Sequence, residues 1–499
     1  MRRLVVAIAL LGALAALLAG CGSKAKGLLK PDLPPSVVIF VQGPVDTVSH
    51  NVHLYWFGTD PDGYVTGYDI RLLNPSAPAD TQWTFTTRTD SVFSIYTPAG
   101  YAAPTFEVRA IDDANLLSPV ARQDFKFSNL PPTVRLQNRF RQVDTTFASA
   151  TLQWTASDPD GDGTRLRFRI WLDGNEANGS LVPGSSYTIP TAQFLQGGQL
   201  RDTLRTAYIQ AVDDGGMLSA VDSVRWFVRA PATGGHFPHY GRLLIIDDVP
   251  RAYSNNFRAD TVYYNTAARN LAPGEYSILQ MDFTQPFRSA KDIEQTFGLF
   301  DAVVWYIGGI QDFRTYETTL ANYQAGLGAY LESGGKVYLD GMDLVNGLHA
   351  RGPLSADFVG QYLGSDFLFR YYTAQAQDST EGWSNAPASV FVSRWGDSLL
   401  VQQLSSSATS YGGFRAFGVR DNDFALIWAP PAPLASLLPA GLLPLPVPVA
   451  VDVPQSSGGR MMLVTFPMMY ATPVPSTPPQ YQSAHRFMAQ VFRELGLAP

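Results

Sequence analysis

The sequence predicts a multidomain protein: two all-β sandwiches followed by an α/β three-layer domain with a mainly parallel sheet. Three observations carry this expectation. The chain repeats itself with a period of 98 residues, measured from Asp60 to Asp158, the first Asp of each Asp-Pro-Asp-Gly turn. That is the size of a sandwich module and too long for a solenoid repeat. Within each copy apolar residues alternate with period two. After about residue 240 strand-like and helix-like segments alternate instead, the pattern of a parallel sheet with crossover helices.

Ahead of the repeats, Arg2 and Arg3 precede an unbroken run of apolar residues and Gly from Leu4 to Leu18. The run is shorter than the roughly 20 residues needed to span a hydrocarbon core, and it fits a secretory h-region. Leu18-Ala19-Gly20-Cys21 resembles a bacterial lipobox. The resemblance implies a signal peptide over 1–20, an acylated Cys21 (palmitate among its acyl chains) and a tether over 21–32. Acyl chains supply roughly 0.8 kcal/mol per buried CH₂, enough in combination to hold a protein on a bilayer without a spanning helix. In the lipobox family an Asp after the cysteine marks inner-membrane retention in enterobacteria, so Gly22 points to the outer membrane. The partner implied is the lipid bilayer.

Composition agrees with an exported globular chain: 45% hydrophobic and only 16% charged residues leave ample material for large cores. Cys21 is the only cysteine, so no intrachain disulfide can form and stability must come from packing. A net charge of -7 gives no basic footprint for nucleic acid.

The repeats span 33–129 and 130–230. "LPPSVVI" returns as "LPPTVRL", "VHLYWFGTDPDG" as "ATLQWTASDPDG", and "VRAIDDANLLS" as "IQAVDDGGMLS". Leu54 and Trp56 share one strand face, as Leu152 and Trp154 do. Tyr68, Ile70 and Leu72 continue the alternation after the turn, matched by Leu166, Phe168 and Ile170. The early-strand Trp, "GYDIRLL" and "FEVRAID" resemble fibronectin type III or related Ig-like sandwiches over roughly Pro31 to Ala230. This fold hosts many functions and names no ligand.

The turn after the Trp strand and the turn after "VRAIDD" lie at the same end of such a sandwich. Asp60 and Asp62 are therefore expected near Asp112 and Asp113, and Asp158, Asp160 and Asp162 near Asp213 and Asp214. Two readings stand. A carboxylate cluster suits calcium, which takes 6–8 oxygen ligands. Equally, Asp-Pro-Asp-Gly is turn chemistry, with each residue type at its preferred position.

A linker over 231–240 leads to the α/β domain, 241–499. "RLLIIDDVP", "YSILQMDF", "DAVVWYIGG" and "KVYLDGMD" read as strands, with helices at "SAKDIEQTFGLF" and "TTLANYQAGLGAYLESGG" between them. "GGRMMLVTFPMMY" reads as a late strand and "AHRFMAQVFRELGL" as a terminal amphipathic helix burying Phe487, Val491, Phe492 and Leu495. The Pro- and Leu-rich run Ala429–Pro448 reads as a long loop.

These segments, with "ESGGKVYLDG" and "GGRMMLVTFP", resemble class I glutamine amidotransferase-like, flavodoxin-like domains. The family's nucleophilic cysteine follows the strand matching "KVYLDG"; here the turn is Gly341-Met342-Asp343. Its histidine follows the late strand, where this chain has Phe466-Pro467-Met468. A thioether forms no thiolate and cannot attack a carbonyl. The resemblance therefore implies a degenerate site.

Asp247, Asp248, Asp340 and Asp343 end their strands at the edge where open α/β sheets bind ligands, with Trp305 or Tyr306 beside them. They suit either a pocket or the capping of following helices. His485 opens the last helix, and His236 and His239 lie in the linker with no third metal ligand in view. The reading that best joins these features is a non-catalytic binding or scaffolding lipoprotein. Its sandwiches form a stalk, and its α/β head meets an unidentified protein or glycan. The alternative is a glycan or ester hydrolase using the strand-end carboxylates.

Cys21→Ser is expected to leave an uncleaved precursor that takes up no palmitate analogue in metabolic labelling; persisting label would refute the lipobox.

Overall fold

The structure, a computed structural model, describes residues 31–41, 48–49, 51–77, 82–137, 145–160, 163–236, 239–248, 260–281, 287–307, 317–341, 355–371, 389–396, 398–401, 414–429, 447–466, 468 and 478–498. Cys21, Asp162, Met342, Asp343, Pro467 and most of the run Ala429–Pro448 lie outside the described residues.

In the first repeat, one sheet orders β1 (Ser36–Val41), β3 (Asn51–Thr59) and β6 (Asp90–Ser94). A second sheet orders β5 (Thr84–Thr86), β4 (Val65–Leu73), β8 (Thr105–Asp112) and β9 (Ala121–Asp124). A small third sheet joins β2 (Val48–Ser49), β10 (Phe127–Ser128) and β7 (Tyr101–Ala102). The alternation read from the sequence sets the faces. Val52, Leu54 and Trp56 of β3 point inward and are buried with Phe106 and Val108 of β8. The rings of Trp56 and Phe106 lie 5.5 Å apart. Outward positions of the three-stranded sheet carry Val38, Phe40, Phe57 and Val92, each more than half exposed.

The second repeat follows the same plan. β11 (Thr133–Leu136), β13 (Ala150–Ser157) and β16 (Ser186–Ile189) form one sheet. The other orders β12 (Thr145–Thr146), β18 (Asp222–Val228), β17 (Thr203–Val212), β14 (Arg167–Leu172) and β15 (Ser180–Val182). A single turn of helix, α1 (Thr191–Phe194), precedes β17. Leu152, Trp154, Phe168 and Ile170 are buried in this core.

The C-terminal region is built on a nine-stranded sheet. Its order is β20 (Tyr276–Gln280), β19 (Gly241–Asp248), β21 (Phe300–Ile307), β22 (Lys336–Asp340), β29 (Arg460–Val464), β28 (Val447–Pro454), β27 (Ala425–Ala429), β24 (Ser389–Ser393) and β25 (Ser398–Val401). From β20 to β29 every pairing is parallel. From β29 to β25 every pairing is antiparallel. The sheet is thus mixed rather than mainly parallel. The parallel half has the 2-1-3-4-5 order of flavodoxin-like doubly wound sheets. A separate two-stranded sheet pairs β23 (Ser365–Tyr371) with β26 (Phe414–Val419).

Helices cover both faces of the parallel half. On one face, Leu243, Ile245, Val304, Tyr338 and Met462 pack with α2 (Asn265–Asn270) and α6 (Pro478–Glu494). Phe487, Val491, Phe492 and Leu495 are buried there as the amphipathic pattern predicts. On the other face, Trp305 meets Phe297 of α3 (Ala290–Phe297) and Tyr323 of α4 (Glu317–Glu332), with ring centroids 6.1 and 5.8 Å apart. A further short helix, α5 (Ala356–Tyr362), follows β22.

The chain divides into two compact units. One comprises residues up to Pro132 with Ser157–Leu166 and Val212–Ser219; the other comprises Thr133–Ala156, Arg167–Ala211 and Ala220–Pro499. Within the second unit the sandwich strands bond directly to the α/β layer. Ser149 Oγ donates to Asp292 (2.9 Å), the hydroxyls of Thr151 and Ser289 share a bond of 2.8 Å, and Arg229 donates to the Ile278 carbonyl (2.7 Å).

Where α3 crosses α4, a Cβ on Gly326 would stand 2.3 Å from the Ala290 carbonyl oxygen and 2.9 Å from Ile293 Cβ. Gly326→Ala gains about 1 kcal/mol of helix propensity, but forcing the helices apart costs about 1–3 kcal/mol. The opposing backbone oxygen cannot rotate away as a side chain would. The substitution is therefore expected to lower the urea midpoint; a raised midpoint would refute the close contact.

Candidate functional site

Two groups of carboxylates stand out, at the sandwich turns and at the strand ends of the α/β sheet. At the turn of the first sandwich Asp60 and Asp113 are brought together. Thr66 Oγ1 donates to the carbonyls of Ile111 and Asp112 (both 3.1 Å), joining the start of β4 to the end of β8. Asp113 Oδ1 accepts from the Tyr64 N–H (3.2 Å). A Cβ on Gly63 would lie 2.2 Å from Asp113 Oδ1 and 2.5 Å from Asp60 Oδ2, so these two oxygens lie within about 5 Å of each other. Asp62 Oδ1 accepts the Leu33 N–H (3.3 Å).

In the second copy Asp160 Oδ2 takes the equivalent bond from Leu130 N–H (3.0 Å). Burial raises the Asp158 carboxyl above its ordinary value, and the neighbouring Asp160 and Asp213 charges add to the shift. Asp214 turns elsewhere: it pairs with Arg165 (3.1 Å) and accepts from Ser94 Oγ (3.0 Å). Among the described residues, no three His, Cys, Asp or Glu side chains form a group able by itself to hold a metal ion.

At the strand ends, register places Asp247 of β19, Tyr306 of β21 and Asp340 of β22 in one row. A turn of π-helix, Asp260–Tyr264, lays two tyrosines over that row. Tyr263 donates to Asp340, and its ring stacks on Tyr306 with centroids 4.0 Å apart. Tyr264 donates to Asp247 (2.8 Å) and accepts from the Tyr306 hydroxyl (3.0 Å). Asp248 lies on the other face and accepts the Trp305 indole N–H (3.2 Å). Asp340 is fully buried, and that burial pushes its carboxyl up to about 7, although the Tyr263 hydroxyl and the Met468 backbone favour the ionised form. The Tyr306 hydroxyl is raised by burial and then by the Asp247 charge.

Asp247 and Asp340 are therefore brought to one face, while Asp248 is not. Tyr263 and Tyr264 carry no signal in their local sequence, and only the fold brings them here. The histidines do not converge. His236 pairs with Asp301 (2.6 Å), and His239 Nδ1–H donates to the Gly298 carbonyl (2.8 Å). His485 lies near Thr266 Oγ1 (3.4 Å), its basicity lowered by burial and by Arg269.

The strand order of the first repeat, β1-β3-β6 against β5-β4-β8-β9, is that of a fibronectin type III-like sandwich. No protein-family model matches the chain, and no curated protein matches it. Matching solved structures include the fibronectin(III)-like modules of Clostridium thermocellum CbhA, at 17% identity over 38% of this chain and 94% of that one, with a TM-score of 0.18. They also include the FN1–FN3 domains of chicken CNTN1, at 14% identity over 42% and 72%, with a TM-score of 0.17. The sandwich class rests on the strand order rather than on these overlaps.

The Asp340 carboxyl loses its proton near 3.8 when unfolded and near 7 when folded. Between those values the folded state holds the extra proton, so its contribution to stability falls as pH rises from about 4 to about 7 and is flat above. A shift of this size corresponds to on the order of 4 kcal/mol. Asp340→Asn keeps an acceptor for Tyr263 without the charge. It is expected to match wild type in urea unfolding at pH 4 and to exceed it at pH 8. Equal stability at pH 8 would refute the shift.

Proposed function

We propose that this protein is a cell-envelope lipoprotein held on the outer membrane through acylated Cys21. Its sandwiches serve as a stalk, and its head is a degenerate amidotransferase-like domain that binds or scaffolds without catalysis. The observation that carries the non-catalytic reading is the use made of the strand-end carboxylates. Asp340 and Asp247 accept hydroxyls from Tyr263 and Tyr264 and thereby hold the π-helical turn on the sheet. Asp248 is buried and accepts from Trp305. A hydrolase working through two carboxyl groups needs both to reach substrate and water; here Tyr306, stacked under Tyr263, stands between Asp247 and Asp340.

The sequence supports the same reading, with Met342 and Pro467 where the family has its cysteine and histidine. Contact with a partner is supported by the outward Val38, Phe40, Phe57 and Val92 of the first sandwich, since grouped exposed apolar side chains mark interaction surfaces.

The full chain is expected to turn over none of a panel of glutamine, glycosides and carboxylic esters. Turnover abolished by Asp247→Asn or Asp340→Asn would overturn the binding reading in favour of a hydrolase.

A further inference from the structure

We infer that each sandwich repeat carries a calcium site built from its Asp-Pro-Asp-Gly turn, its late buried Asp and the residue just before Leu-Pro-Pro. That last residue is Asp32 in the first copy and Asn129 in the second. All of these residues belong to the first compact unit.

In Asp60, Asp112, Asp158 and Asp213 one carboxylate oxygen is satisfied and the other is not. Asp60 Oδ1 accepts the Asp62 N–H and Asp158 Oδ1 the Asp160 N–H, both at 3.4 Å. In both residues Oδ2 is buried with no hydrogen-bond partner among the described residues. The late aspartates repeat the arrangement. Asp112, 1% exposed, accepts the Ala114 and Leu116 N–H groups through Oδ1 (2.9 and 2.7 Å). Asp213, 6% exposed, accepts the Met217 N–H through Oδ1 (2.8 Å). Their Oδ2 atoms are again buried and unpartnered. Backbone N–H groups thus lock one oxygen of each carboxylate and fix the direction of the other. Two copies of different sequence leave the same atoms unpartnered.

The segment leading into each repeat adds a further donor. Asn129 is 3% exposed, and neither its amide oxygen nor its nitrogen has a partner among the described residues. The adjacent Leu130 N–H holds Asp160 Oδ2, whose Oδ1 is unpartnered. In the first copy the Leu33 N–H, adjacent to Asp32, likewise holds Asp62 Oδ1 (3.3 Å), which brings Asp32 to the turn.

Unpaired buried carboxylate oxygens are costly unless a cation faces them. The donors are all oxygen, with no imidazole or thiolate, which selects a hard cation over zinc or copper. Carboxylates alone do not complete a metal group here. Calcium accepts 6–8 ligands in loose geometry, including amide and main-chain carbonyls and water, whereas magnesium demands a near-ideal octahedron.

The test titrates chelator-stripped full chain with calcium chloride, followed by calorimetry and thermal melting. Two calcium ions per chain and a raised Tm are expected, with a smaller rise for magnesium at equal concentration. Asp112→Asn and Asp213→Asn should each delete one binding event, and the double variant both. Each Asn retains an acceptor for the loop N–H groups. In chelator these variants should therefore melt no lower than wild type, because a like charge has been removed from the cluster. No calcium binding by wild type, or binding that persists in the double variant, would overturn the proposal. So would variants melting well below wild type in chelator, which would make both aspartates structural acceptors only.

Discussion

Burial of carboxylates is the constraint around which much of this molecule is arranged. Asp112, Asp213, Asp292, Asp340 and Asp452 are all withdrawn from water. A charge so placed must meet hydrogen-bond donors or give up its ionisation. Each aspartate answers in its own way, and each answer fixes a local structure. Asp452 sits between Arg394 and Arg460 and ties β28 to the turn just after β24 and to β29. Asp292 accepts from the Arg288 N–H while its own N–H donates to Ser289 Oγ, so the start of α3 is capped twice over. Its remaining oxygen receives Ser149, joining sandwich and sheet within one unit. Removing one partner from such a group typically costs about 3–5 kcal/mol, so these few residues hold together elements that apolar packing alone would leave free to slide.

What the sequence made legible was local and periodic. Leu54 with Trp56 and Leu152 with Trp154 face inward because a strand has period two, and the terminal helix buries its Phe and Val stripe for the equivalent reason. The parallel strands β19 to β22 were visible as continuous apolar runs between helical segments. The antiparallel half of the sheet was not. Val449 and Val451 of β28 follow a Pro- and Leu-rich stretch whose prolines argue against strands, so the sequence up to Pro448 reads as loop although β28 begins at Val447. Among the sites, Asp60 and Asp113 could be paired because the repeat supplies a frame. Asp32 and Asn129 carry no local signal beyond their shared place immediately before Leu-Pro-Pro. Tyr263 was beyond reach: its meeting with Asp340, 77 residues away, depends on how the chain returns across the sheet.

Strand order by itself says little about activity. A flavodoxin-like row of strand ends supplies positions, and chemistry depends on what occupies them. In this chain the positions hold aromatic hydroxyls and an indole nitrogen turned onto carboxylates.

The place of β29 in the sheet also bears on how the chain assembles. β22 is complete at Asp340, yet the strand that pairs with its free side begins only at Arg460, and that pairing is parallel. Until then the half-built sheet presents an open row of unpaired backbone groups next to Val337 and Leu339. Such an edge is a template for association with another chain. Pairings between strands so distant in sequence also form slowly, because a long loop must close first. Chains interrupted between these two strands would therefore be unfinished at the centre of the sheet rather than at its rim. For a chain made from its N-terminus, the interval between β22 and β29 is when it most needs shielding from its own copies.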